Sequence, residues 1–287
     1  MAVTVVVAVK VYDGMVLAAD SATALPLRDA AGKVTGHQVW NNADKVFHLH
    51  RDLPIGLATW GGGQIQSASI STLAKDLRRR LMGRDAGHTG WSLDPASYTL
   101  ADVSERLVQL LHDELYSKID PATAQYIGFL LAGFSGGVNQ SEAWEIALAD
   151  PNQRPVAKQV WDLSASGWRA YGQPEAIGRL FNGFAPSLQV AVSALVPPTA
   201  SAALDAAFLA EGRPAVIPSM PFGDAIQFAK FCADTTIGYT RFLPGPDLVG
   251  GPVDVAGISR HEGFKWVHRK HYYNPELNPR RPHEHDQ

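Results

Sequence analysis

The sequence predicts an α+β domain built of stacked layers, and three observations carry that prediction. Strand-like and helix-like segments come in runs: strands, two helices, strands, two helices, strands. Segregated runs of this kind favour α+β layers over alternating βαβ units. The chain opens on an almost unbroken β-branched stretch, Thr4-Val5-Val6-Val7-Ala8-Val9, the composition of a strand buried on both faces. Its 287 residues, 46% hydrophobic and 18% charged, are enough to bury one large core. Two sheets stacked between two helix layers would use this number of elements.

Taken in order, residues 4–10 read as a strand, and Tyr12-Asp13-Gly14 follows. Asp-Gly between two apolar runs is the strongest short hairpin signal, so Met15 to Ala19 reads as the returning strand, ending at Asp20. Residues 21–44 are polar and broken by Pro26, Gly32 and Gly36, the pattern of a long loop or a protruding hairpin. Lys45 to Leu49 and Pro54 to Trp60 read as short strands, the second stopped by Gly61-Gly62-Gly63.

Ile70, Leu73, Ala74, Leu77 and Leu81 keep a 3.6-residue period and predict a helix with Lys75, Asp76 and Arg78 to Arg80 on its other face. Thr99 with Asp102 predicts a capped helix carrying Leu100, Val103, Leu107, Leu111 and Leu115. Strands are expected over 125–134, 141–149 and Val156 to Leu163. A helix is expected over Gln173 to Phe184, with Pro174 in its first turn. The periodicity of 185–220 is ambiguous; Phe222 to Tyr239 reads as a helix, and Val253 to Ser259 and Phe264 to Val267 as a closing strand pair. The polar segment 268–287 is expected to be a disordered tail.

Composition excludes several classes of function. The net charge of −3 offers no basic field for nucleic acid or an anionic membrane surface. Cys232 is the only cysteine, which rules out an internal disulfide and fits a reducing cytoplasm. Lys10, Asp13 and Asp20 interrupt the apolar start, which therefore does not read as a signal peptide, and no run has the length of a transmembrane helix. No cofactor or metal site is expected. His283 and His285 read as a solvated tail, Gly61 to Gly63 lack the Gly-Lys-Ser/Thr of a phosphate loop, and His48 and His50 receive no role.

Three residues point to chemistry when read together. Thr4 opens the first strand, Asp20 closes the second sixteen positions later, and Lys45 begins the third, within Asn41-Asn42-Ala43-Asp44-Lys45-Val46-Phe47. Taken singly, Thr4 is an ordinary β-former, Asp20 a turn residue and Lys45 a solvated edge charge. With the far segment Val249-Gly250-Gly251-Pro252-Val253-Asp254-Val255-Ala256-Gly257-Ile258-Ser259, and more weakly Gly172-Gln173-Pro174-Glu175, they resemble proteasome β subunits and their bacterial peptidase relatives. The resemblance spans residues 4–267 in element order and is strongest at its two ends.

That resemblance implies a four-layer αββα sandwich of the N-terminal-nucleophile hydrolase type over residues 4–267, with residues 1–3 as a short propeptide. It implies a threonine-type peptidase in which Thr4 is the nucleophile, its freed α-amine the base, Lys45 and Asp20 the charges beside it, and the Gly61 N–H an oxyanion donor. A free α-amine titrates near ~7.7–8, close to neutrality, and a neighbouring ammonium keeps it deprotonated. It further implies cytoplasmic homo-oligomeric rings, polypeptide substrates and an ATP-dependent unfoldase partner.

The sequence also departs from the family. Val3 precedes Thr4 where glycine is usual, and the Asp20–Lys45 loop is longer. Tyr171 and Val249 stand where supporting serines are expected, with Ser166 and Asp247 as the nearest substitutes for the missing serine and aspartate. Two further readings therefore stand beside the peptidase: a catalytically silent assembly subunit, and an amidase acting on a small acyl amide.

Overall fold

In the computed structural model, which describes residues 4–271, the valine-rich opening forms β1 (Val5–Val11), buried along its whole length. It turns through Tyr12-Asp13 into β2 (Gly14–Ala19), also fully buried. Gly14 is required here, because a Cβ would lie 2.2 Å from the Ile258 carbonyl oxygen of the neighbouring strand. The polar stretch that follows is a projecting ribbon, β3 (Thr23–Arg28) with β4 (Val34–Trp40), paired only with each other. Then come β5 (Val46–His48), β6 (Ile55–Gly61), and a small hairpin of β7 (Gln64–Ile65) and β8 (Ala68–Ser69).

Ser69 caps α1 (Ile70–Leu81) by accepting from the Thr72 N–H at 3.2 Å, a bond worth about 1 kcal/mol to the helix. The predicted stripe Ile70, Leu73, Ala74, Leu77 and Leu81 is the buried face, and Arg78 to Arg80 sit in the last turn, where cations suit the helix dipole. Thr99 caps α2 (Leu100–Val108) as expected, and a π-type turn over Gln109–Asp113 ends the run. The chain continues through β9 (Ile127–Gly133), β10 (Glu142–Leu148), β11 (Lys158–Trp161) and β12 (Gly167–Gly172). After α3 (Glu175–Phe181), α4 (Pro186–Ser193), α5 (Ser201–Glu211) and α6 (Phe222–Arg241), β13 (Asp254–Ser259) and β14 (Gly263–His268) close it.

The strands make two five-stranded antiparallel sheets, ordered β12-β1-β2-β13-β14 and β11-β10-β9-β6-β5. The period-two alternation of β1 divides the core. Val6 and Ala8 join Leu17, Ala19, Ala256 and Ile258 against Ala58, Trp60, Leu130, Ala132 and Ala143 of the other sheet. Val5, Val7 and Val9 point the opposite way and pack with Ile177 of α3 and Ala225, Ala229, Cys232 and Ala233 of α6. On the far side of the second sheet, Leu57, Phe129, Leu131 and Ile146 pack with Leu73, Leu77 and Leu81 of α1 and Leu100, Val103 and Leu107 of α2. The protein is thus a mixed α+β fold of antiparallel sheets with helices against them.

Three expectations need correction. The edge strand β12 lies in a stretch with no strand prediction, because its Gly-Trp-Arg-Ala-Tyr-Gly sequence begins and ends in glycine. Residues 185–220 contain α4 and the alanine-rich α5, which bury no residue and so show no one-sided apolar stripe. The polar terminus does not begin at residue 268: β14 runs to His268, and Lys270 is buried. The remainder of the expected tail, and residues 1–3, lie outside the described residues.

Candidate active site

Asp20 follows β2, where the hairpin returns beside the start of β1, and its carboxylate is almost completely buried. All its acceptor positions are filled. Oδ1 accepts from the Val5 N–H at 3.0 Å and from Lys45 Nζ at 2.6 Å, while Oδ2 accepts from Ala22 N–H at 3.1 Å and Gly250 N–H at 3.0 Å. One carboxylate thereby ties together the start of β1, the start of β5 and the glycine pair before β13.

Lys45 is buried beside it. Desolvation holds its ammonium below the ordinary lysine range, opposed by Asp20, and nearby Lys270 pushes it in the same direction as desolvation. A lysine so placed is a charge whose strength its surroundings set.

Thr4 precedes β1 and is itself buried. By strand alternation it falls on the side of Val6 and Ala8, toward the second sheet. Its backbone is closely held: a Cβ on Gly172 would come within 2.0 Å of the Thr4 carbonyl oxygen, and Gly172 has a φ of 82° that suits glycine.

A cavity of about 310 Å³ opens at this point, lined by Thr4, Lys45, Thr59, Gly61, Ser69 and Ser71 among others. Its volume is that of a small ligand group or a side chain. Gly61 ends β6 with a φ of 90°, and a Cβ there would meet the Tyr126 carbonyl oxygen at 2.4 Å, so only glycine fits without displacement. The ladder also fixes where its amide points. Gly62 N–H bonds Tyr126 on the β9 side, and Thr59 N–H bonds the Lys45 carbonyl on the β5 side. The Gly61 N–H therefore points with that of Thr59, past the end of β5 and toward the cavity.

The structure thus brings Thr4, Asp20, Lys45 and Gly61 to one place. It does not bring Ser166 or Asp247 there. Ser166 precedes β12 at the end that pairs with Lys10, whereas Gly172 at the other end pairs with Val5. At ~3.3 Å per residue, Ser166 lies roughly 20 Å along the strand from the Thr4 end. Asp247 is exposed on the loop after α6. Val249 is buried in the cluster shared with α6, facing away from the second sheet. Tyr171 stacks on Trp60 across the two sheets, with ring centroids 4.2 Å apart, and its hydroxyl is buried near Glu145. Burial pushes that hydroxyl far above the ordinary tyrosine range.

Sequence reasoning missed a second buried ion pair beside the first. Lys270 Nζ contacts Asp254 Oδ2 and lies 3.5 Å from Asp44 Oδ1, while the Lys270 N–H donates to Asp254 Oδ1 at 3.0 Å. Asp254 sits beside Ala19 in the sheet, so the pair flanks Asp20 and Lys45. The only signal in the sequence was an aspartate opening an otherwise apolar strand. No protein-family model matches the chain, and no curated protein matches it either.

Proposed function

We propose that this chain is an amide hydrolase of the N-terminal-nucleophile type, a proteasome-like threonine peptidase whose residues 4–267 form an αββα sandwich. Support for the sandwich comes from the three apolar clusters, one between the sheets and one under each helix pair. The single observation that carries the catalytic reading is the buried Lys45–Asp20 pair at the wall of a cavity shared by Thr4 and Gly61.

In this reading residues 1–3 are removed and the freed α-amine of Thr4 takes the proton from its own hydroxyl. Thr4 Oγ1 then attacks the substrate carbonyl, and the oxyanion accepts from the Gly61 N–H, a donor of a kind worth about 10²–10³ in rate. Collapse of the tetrahedral intermediate expels the amine, which leaves with the proton, and an ester on Thr4 remains. Water, deprotonated by the same α-amine, hydrolyses the ester. Lys45 keeps the amine deprotonated by charge, and Asp20 holds Lys45 in place. The working unit is a cytoplasmic homo-oligomeric ring acting on polypeptides, fed by an ATP-dependent unfoldase.

Intact-mass measurement tests this directly. Purified protein should begin at Thr4, and an electrophilic β-lactone should add one equivalent to that residue. Protein that is fully assembled, keeps residue 1 or 2 and takes up no label would overturn the reading. A second reading, a silent assembly subunit, is favoured by Tyr171 and Val249, a stacked ring and a core side chain where the resemblance implies serines.

A further inference from the structure

On the other side of the Asp44–Ser71 contact (3.3 Å), which lines both this cavity and a neighbouring depression, the surface changes character. A concave region of about 810 Å³ runs between α1, the β5–β6 turn and β14, with His48, Arg51, Lys75, Arg78, Arg84, Phe264 and Lys265 among its walls. Arg269 closes the adjoining depression together with Lys75 and Arg78.

Seven lysines and arginines line the two regions: Arg79, which is paired, and six others, Arg51, Lys75, Arg78, Arg84, Lys265 and Arg269. None of the six makes an ion pair among the described residues, although Arg79 beside them is paired to Asp85 at 2.9 Å and Arg80 to Glu114 at 2.5 Å. The carboxylates that face the cluster are Asp52 and, at its far wall, Asp44, which is engaged by Lys270. Arg78 is half-buried at the centre; burial and then Arg84, Arg51 and Arg269 hold its guanidinium below the usual arginine range.

A chain of net charge −3 has ample carboxylates with which to neutralise such a cluster. Leaving six like charges around one concavity costs folding free energy, and a bound anion would recover it. We propose that this concavity binds a chain of phosphates, supplied either by a nucleotide or by free polyphosphate. Four of the six cations are arginines, whose planar forks match phosphate oxygens in pairs. The volume is that of a small-molecule site. Several adjacent negative charges, rather than one, are needed to reach cations contributed by α1, the β5–β6 turn and β14 at once. The inference stands apart from the peptidase reading, since it uses none of that site's residues.

Isothermal titration of the full-length protein at low ionic strength tests it, with tripolyphosphate and ATP as probes, orthophosphate as a single-phosphate control and a poly-glutamate peptide as a carboxylate control. Tripolyphosphate should bind at least tenfold more tightly than orthophosphate and weaken as salt rises. Arg84→Gln, on an exposed residue, and Arg78→Gln should each weaken binding about tenfold while the circular dichroism melt stays that of a folded protein. Equal affinity for ATP and tripolyphosphate identifies the phosphate chain alone as the ligand; tighter ATP binding identifies a nucleotide. The proposal is overturned if neither probe binds at millimolar concentration, if both substitutions leave affinity unchanged, or if poly-glutamate binds as tightly as tripolyphosphate.

Discussion

Lys45 Nζ lies 2.6 Å from Asp20 Oδ1, and the same carboxylate accepts three backbone N–H groups from three separate segments. The pair therefore holds the fold together as well as setting a charge in the cavity. Asp20→Asn would turn a donor toward either Lys45 or the Ala22 and Gly250 amides, and would leave Lys45 buried without a counter-charge. Breaking a buried pair by removing one partner costs about 3–5 kcal/mol. Urea unfolding of Asp20→Asn should show a loss on that scale; a loss below about 1 kcal/mol would mean that water reaches Lys45 and the pair is not sealed.

Thr4→Ala separates chemistry from stability. The hydroxyl and methyl of a residue before the first strand supply little core volume, so the variant should fold and assemble like the parent. Amide hydrolysis should fall by about 10⁴-fold or more, the scale on which removing a nucleophile acts. Lys45→Ala should be nearly as severe in rate, yet less damaging to the fold than Asp20→Asn, because Asp20 keeps its three backbone donors. Near-normal turnover in Lys45→Ala would end the role assigned to that lysine.

How much of this was legible in the sequence differs from element to element. Thr4, Asp20 and Lys45 stood out only through the resemblance of their spacing to a known family, since hydrophobic pattern and turn chemistry alone mark them as a β-former, a turn residue and an edge charge. The α1 stripe was legible because one face is buried and the other solvated. Nothing comparable marks α4 and α5, whose residues are all at least partly exposed, nor β12, whose pairing with β1 is decided by contacts far away in the chain. Ser166 looked close to Gly172 in sequence, but a strand turns a short sequence separation into a long distance. Lys270 was unreadable for the opposite reason: a lysine in a polar stretch looks solvated until Asp254, sixteen residues earlier, is seen beneath it.

His48 should give the protein an acid sensitivity that one substitution reduces. Its ring stacks on Phe264 with centroids 4.4 Å apart, and its buried Nε2 has no hydrogen-bond partner among the described residues. Burial, with Arg78 and His50 adding to it, pushes the ring down to about 4, against the opposing Leu53 backbone and Asp52. The folded state thus resists a proton that the unfolded chain accepts below about 6.5. Stability contributed this way is full above that pH and is lost progressively as pH falls toward 4. His50, whose ring nitrogen accepts from the Asp52 N–H at 3.2 Å and which burial also lowers, adds to the same slope. His48→Phe keeps the stack and removes the titrating group. Thermal melts at pH 7.5, 5.5 and 4.5 should fall less steeply for the variant, and parallel curves would show that His48 does not drive the loss.

Assembly is the remaining expectation, and the apolar surface of α4, α5 and the β3–β4 ribbon bears on it. Leu188 and Val190 on α4 and Leu209 on α5 are exposed by 50%, 72% and 81%, and Trp40 on the ribbon by 52%. Single exposed apolar residues are ordinary; several on consecutive helices that bury nothing are characteristic of surfaces covered by a partner. In a ring each subunit presents one face to the next, so the covered surface need not match itself. Light scattering should give a mass many times the 31.0 kDa of one chain. Val190→Asp with Leu209→Asp should reduce that mass without changing the circular dichroism spectrum, since neither side chain belongs to a core cluster. A monomer at micromolar concentration would refute the ring. It would also count against the peptidase reading, because a site that opens directly to solvent has no chamber to limit which proteins reach Thr4.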